Sequence, residues 1–189
     1  MTRMDPHSYF DVEQPRTKSL RLRWDVDFQA KRISGEALLA LDGPSQGFMD
    51  LDTKGLEIRS VTAQGRPIPY ELGEPEPILG QRLRLNLPPG TQELTLVYAT
   101  TAQSTALQWL SPEQTAGKVH PFMFSQCQPH HARTLAPLQD SPRVRVSYTA
   151  EVTVPEDLTA VMSAGSAGVR PGAGPRSKTF LFNMPQPIP

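Results

Sequence analysis

Apolar and polar positions alternate with a period of two along most of the chain. Leu20, Leu22, Trp24, Val26 and Phe28 fall on one face of an extended segment, and Arg21, Arg23, Asp25 and Asp27 fall on the other. One buried and one wet face is the pattern of an antiparallel sheet strand. Residues 31–35 read as a turn region, Glu36 to Leu41 as the partner strand, and Asp42-Gly43-Pro44-Ser45 as a further turn. Short extended pieces follow at 47–52, 55–63 and 67–72, and Glu74-Pro75-Glu76-Pro77 reads as a rigid polar loop. Leu83, Leu85 and Leu87 alternate with Arg82, Arg84 and Asn86. Pro88-Pro89-Gly90 then turns the chain, and Leu94, Leu96 and Tyr98 resume the alternation, which predicts a hairpin. The longest alternation runs from Arg143 to Val154 and stops at Pro155. Residues 163–177, rich in Gly, Ser, Ala and Pro, predict a flexible loop ahead of a last strand at Lys178 to Met184. Helical periodicity is confined to Pro129 to Leu135, and there is no tandem repeat. The pattern predicts one all-β domain over residues 1–189, of antiparallel sandwich or open-sheet type.

Composition supports the all-β reading. The chain of 189 residues carries 20 prolines, which disfavour helix interiors and central strands and suit short strands joined by turns. Lys+Arg and Asp+Glu are both 19, so the net charge is zero, and no electrostatic footprint for nucleic acid or an anionic membrane is present. Arg21, Arg23, Arg82, Arg84, Arg143 and Arg145 read as a solvated sheet face, broken by Asp25, Asp27 and Glu151 and lacking interleaved aromatics. Cys127 is the only cysteine, which excludes an internal disulfide and fits a cytoplasmic location. The first residues lack the apolar stretch of a signal peptide, and no apolar run is long enough to span a membrane.

Residues 107–142 break the alternation and gather Gln, His, Trp, Phe and the cysteine between two strand regions. Five pieces in this part of the chain and just after it resemble the zinc aminopeptidases of peptidase family M1. They are Leu107-Gln-Trp-Leu, Phe124-Ser-Gln-Cys-Gln-Pro-His-His-Ala-Arg, Leu138-Gln-Asp-Ser-Pro, Tyr148-Thr-Ala-Glu-Val and Met162-Ser-Ala. Asp5-Pro-His-Ser-Tyr and Met184-Pro-Gln-Pro-Ile-Pro are similar to that family's leukotriene-hydrolase branch, so the resemblance runs nearly end to end. It implies a saddle-shaped amino-terminal β-domain lying against a separate catalytic domain. It also implies that the Gln126-Cys127-Gln128 loop contacts the free α-amino group of a peptide substrate, with Gln126 and Gln128 as the contacting residues. An ammonium group has three donors and needs fixed acceptors, which the two amide carbonyls supply without charge.

The family's zinc chemistry needs His-Glu-x-x-His on a helix, which sets two imidazoles on one face with a glutamate beside them as general base. No histidine here is followed by glutamate, and Gly-x-Met-Glu-Asn is missing as well. The expectation is therefore a substrate-anchoring domain with no catalytic residue and no metal ligand of its own. Zinc would belong to the parent enzyme, the catalytic domain of the same polypeptide would be its partner, and the isolated chain would be inactive. An alternative is a free-standing β-sandwich that binds a protein or carbohydrate.

Other residues take plainer readings. His120, His130 and His131 suit loop packing, because adjacent histidines seldom ligate one ion and no further donors complete a set. Cys127 should point away from Gln126 and Gln128 as a small apolar side chain. Arg133 is expected to pair with Asp140, Trp24 to lie in the core, and Trp109 to sit in a loop facing the catalytic domain. A domain severed from its partner should also show an apolar patch at Phe122 and Phe124, and a sheet edge open to pairing.

Overall fold

The computed structural model describes residues 5–43 and 47–189. Residues 1–4 and 44–46, which include Pro44 and Ser45 of the expected turn, lie outside the described residues. Thirteen strands are described: β1 (Arg16–Asp27), β2 (Arg32–Asp42), β3 (Phe48–Thr53), β4 (Leu56–Ala63), β5 (Arg66–Pro67), β6 (Tyr70–Leu72), β7 (Gln81–Asn86), β8 (Glu93–Thr100), β9 (Leu107–Leu110), β10 (Phe122–Ser125), β11 (Val146–Pro155), β12 (Gly165–Pro171) and β13 (Ser177–Ile188). The chain is all-β, as the alternation predicts; the helical elements described are two single 3-10 turns, Pro112–Gln114 and Ala132–Thr134. The second lies within 129–135, the segment with the best helical periodicity.

Eight strands form the main sheet in the order β12-β13-β11-β1-β2-β8-β4-β5. A three-stranded sheet, β3-β7-β6, adds its apolar face to the same core. Each core row is built by one residue per strand. Phe182, Ala150, Leu22, Ala37, Leu96 and Val61 line up across six strands of the main sheet, and all are buried. From the other layer Met49 and Leu51 of β3 pair with Leu85 and Leu83 of β7, and all four are inaccessible to solvent. The opposite face of the main sheet carries charge: Arg23 reaches Glu36 at 3.1 Å, and Arg170 reaches Glu151 at 2.6 Å.

Several expectations about pairing are corrected. The sheet is not purely antiparallel, because β1 runs parallel to β11, with Leu22 beside Ala150 and Trp24 beside Val152. Alternation fixes which face is buried and carries no information about strand direction. The two alternating runs around Pro88-Pro89-Gly90 do not form a hairpin. β7 pairs with β3 and β6, while β8 lies between β2 and β4 in the other sheet, so this turn carries the chain from one layer to the other. The segment expected to be a flexible loop contains β12, antiparallel to β13. Every residue of β12 is exposed, so no buried face was there to produce alternation. β12 also covers β13, so the last strand is not an open edge; β12 itself is bulged between Ser166 and Gly168 and ends at Pro171. Bulges and prolines are ordinary protections of a free edge.

The arginines likewise do not form one stripe, since Arg21 and Arg23 belong to the main sheet and Arg82 and Arg84 to the small one. Arg84 holds Asp50 through two 2.7 Å bonds from Nε and Nη2. That fork geometry fixes both side chains on β7 and β3.

Candidate substrate-anchoring loop

β9 and β10 form a separate two-stranded sheet, with Phe122 opposite Leu110 and Ser125 opposite Leu107. Trp109 lies in β9, not in a loop, and its ring meets Phe28 edge-to-face at 5.4 Å on this domain's own core. Along β10 and just beyond it, the even-numbered positions are open, and Ser125 between them is exposed as well. Phe122, Phe124, Gln126 and Gln128 are exposed, whereas Met123 and Cys127 are half-buried against the core. The i, i+2 spacing thus places both glutamines on the outer side, with the two stacked phenylalanine rings 6.0 Å apart beside them. Phe122 and Phe124 remain 52% and 44% exposed, the apolar patch expected there. Burial, together with the nearby Asp140 carboxylate, pushes the Cys127 thiol up, which keeps it protonated and unreactive.

The loop backbone is held at both ends. The Gln126 N–H donates to the Ala106 carbonyl at 2.8 Å, and the His131 N–H donates to the Cys127 carbonyl at 2.8 Å. Between them, the Gln128–Pro129 peptide bond is cis. Among the described residues the side-chain amides of Gln126 and Gln128 have no hydrogen-bond partner, so their carbonyl oxygens are free to accept. His131 Nδ1 meets the Thr105 hydroxyl at 2.7 Å, and His130 stacks on His7 with ring centroids 4.7 Å apart and planes 12° apart.

Beneath the loop lies a buried polar cluster. Arg133 is fully buried, and its Nε donates to Asp140 Oδ2 at 2.9 Å, the expected pair. Asp52, at the end of β3, is also fully buried, 3.9 Å from the same guanidinium. It accepts hydrogen bonds from the Ser8 hydroxyl at 2.6 Å, the Tyr9 N–H at 2.7 Å and the Asp140 N–H at 2.8 Å. Burial pushes the Asp52 carboxyl above its ordinary value, opposed by the Arg133 charge and these hydrogen bonds. No periodic pattern marks Asp52, Ser8 or Ala106 in the sequence, because their roles depend on contacts between distant segments.

The described residues do not assemble a zinc site. Among the described residues no group of three or more His, Cys, Asp or Glu side chains gathers as a metal-binding set. Among the described residues no helix is long and apolar enough to cross a membrane.

Comparison with known proteins settles the family. Residues 10–189 match the Peptidase M1 N-terminal domain. The chain belongs to that family. The M1 N-terminal domain described here is 36% identical to leukotriene A-4 hydrolase of Xenopus laevis, over 98% of this chain and 32% of that protein. It is 30% identical to leucine aminopeptidase 2 of Phaeosphaeria nodorum, over 99% of this chain and 32% of that one. The chain therefore spans about a third of the length of the curated relatives it matches. Yeast LTA4 hydrolase in complex with bestatin superposes with a TM-score of 0.87 at 28% identity, covering 99% of this chain and 29% of that one. An M1 zinc metallopeptidase from Deinococcus radiodurans shares the fold, with a TM-score of 0.73 at 20% identity over 93% of this chain and 40% of that one.

Proposed function

We propose that this domain anchors the free α-amino group of peptide substrates in a zinc metallo-aminopeptidase that removes N-terminal residues. Gln126 and Gln128 are the anchoring residues. The observation that carries the reading is their placement: two exposed amides with unengaged acceptors, on a loop whose backbone is fixed at both ends, beside an apolar patch. A bound ammonium donates to amide carbonyls held in place, and the cost of ordering the loop is already met by the fold. Both amides are neutral, so the charge that balances the ammonium comes from the catalytic domain of the same polypeptide, the partner of this one. That domain also holds the zinc, whose chemistry is activation of the attacking water. Without it this domain is inactive. The single, protonated cysteine is compatible with a cytoplasmic location.

The test uses the full-length protein that carries this domain. Release of an amino-acid amide fluorophore is measured with and without a zinc chelator, in the wild type and in Gln128→Ala. Chelator-sensitive turnover that falls at least about tenfold in the variant supports the reading. Turnover untouched by the substitution removes Gln128 from the substrate site.

A further inference from the structure

We infer that Arg133 is the positioning residue of the Gln126–Gln128 loop, acting through its neighbour Thr134 and through Ala106. Its functional consequence rests on the anchoring role proposed for that loop. The guanidinium joins three segments that are remote in sequence. Nη2 donates to the His7 carbonyl at 2.6 Å and to the Asp140 carbonyl at 3.2 Å, Nη1 donates to the Leu79 carbonyl at 2.9 Å, and Nε donates to Asp140 Oδ2. The Arg133 backbone N–H reaches Asp140 Oδ2 at 3.3 Å, and the Arg133 carbonyl accepts from the Lys54 N–H at 3.0 Å. Arg133 is thereby tied to Lys54 just past β3, to the Leu79 turn and to the N-terminal segment, where Leu79, Tyr9 and Phe10 are themselves buried.

From there two short relays reach the glutamines. The Thr134 hydroxyl accepts from the Ala106 N–H at 3.0 Å, and the Ala106 carbonyl accepts from the Gln126 N–H at 2.8 Å. On the other flank, His131 is two residues before Arg133, and its N–H closes on the Cys127 carbonyl. Both backbone restraints on the glutamine segment therefore start within two residues of one buried guanidinium. A lysine there has three rotatable donors on a point charge and no planar fork, so it cannot satisfy all of these acceptors together. The expected result of losing the fork is a loop that keeps its sequence and exposure and wanders about its productive position. Small misplacements of positioning groups have large kinetic effects.

The experiment again uses the full-length protein, with Arg133→Lys and the milder Asp140→Asn, which keeps an acceptor oxygen and the side-chain size. Hydrogen exchange of the Gln126 and His131 amides, the two that close the restraints, should accelerate about tenfold, while the amides of β2 and β8 exchange as in the wild type. On amino-acid amide fluorophores KM should rise about tenfold with kcat held. In a Gln126→Ala/Gln128→Ala background the Arg133→Lys change should add no further loss, because the residues it positions are gone. Unchanged exchange at Gln126 and His131 in both variants overturns the inference. So does an equal added loss in both backgrounds, which marks a general structural role. If exchange accelerates as expected but Gln126→Ala/Gln128→Ala leaves KM untouched, the positioning of the loop stands and the anchoring reading falls. Should Arg133→Lys not fold, Asp140→Asn alone decides between these outcomes.

Discussion

Gly35 on β2 sits in a core row between Trp24 of β1 and Tyr98 of β8. The Tyr98 ring leans over it, and a Cβ there would lie 2.5 Å from the ring Cζ. The space left by the missing side chain lets the buried Tyr98 hydroxyl accept a 2.8 Å hydrogen bond from Trp24 Nε1 across the strand. Burial pushes the Tyr98 hydroxyl far above its ordinary value, so it stays neutral. Gly35→Ala should therefore force Tyr98 aside and break the bond to Trp24, lowering stability by about 1–3 kcal/mol. Chemical denaturation followed by tryptophan fluorescence checks this; a midpoint equal to the wild type would show that Tyr98 moves freely. The alternation placed Trp24 on the core side, and there it packs, though only half-buried. Its partner Tyr98 and the need for glycine at 35 could not be read from the sequence, because both depend on which strands become neighbours. That Gln126 and Gln128 share one face, opposite Cys127, was legible from spacing, whereas the relay through Ala106 was not, since a backbone carbonyl leaves no mark in a sequence.

The elements themselves were legible where one face is buried and illegible where neither is. β1, β8 and β11 stand out by their leucine and valine rows, whereas the fully exposed β12 reads as loop. The N-terminal segment ahead of β1 has no periodicity either, and polar contacts hold it. Asp5 Oδ2 accepts from the Ser141 hydroxyl at 2.5 Å, and Asp5 Oδ1 accepts from the His7 N–H at 2.9 Å. Burial raises the Asp5 carboxyl, but these two bonds and the neighbouring His130 and His7 outweigh it and hold the carboxyl below its ordinary value. A depressed carboxyl contributes stability that is present above the unfolded value of about 3.9 and lost as pH falls through the folded one. The segment 5–10 should therefore loosen in acid before the sheets do. Hydrogen exchange of its amides, corrected for the intrinsic pH dependence, should rise in the wild type as pH falls below the ordinary carboxylate value of about 3.9. In Asp5→Asn it should be raised at neutral pH and nearly flat across that range. Identical pH profiles for the two proteins would assign the acid sensitivity to another group.

At the scale of the whole molecule, the two sheets close one core and leave the β9–β10 ribbon projecting its outer face to solvent. Phe122 and Phe124 stack on that face, each about half open, with Val119 exposed three residues before Phe122. Exposed Val161 and Val169 lie elsewhere along the chain, in the stretch after β11 and in β12. Paired aromatic rings beside two unengaged amides make a surface that gains by being covered, whereas isolated exposed valines are ordinary. The proposed function has the catalytic domain cover it. The isolated chain should then associate through this face at micromolar concentrations, and its sedimentation coefficient should rise with concentration. Phe122→Ser combined with Phe124→Ser should abolish that rise without shifting the denaturation midpoint, since neither ring belongs to the core. Val161→Ser with Val169→Ser should leave it unchanged. If the phenylalanine variant sediments like the wild type at every concentration, the patch is not the face that the proposed catalytic domain covers, and that face must be sought elsewhere on this domain.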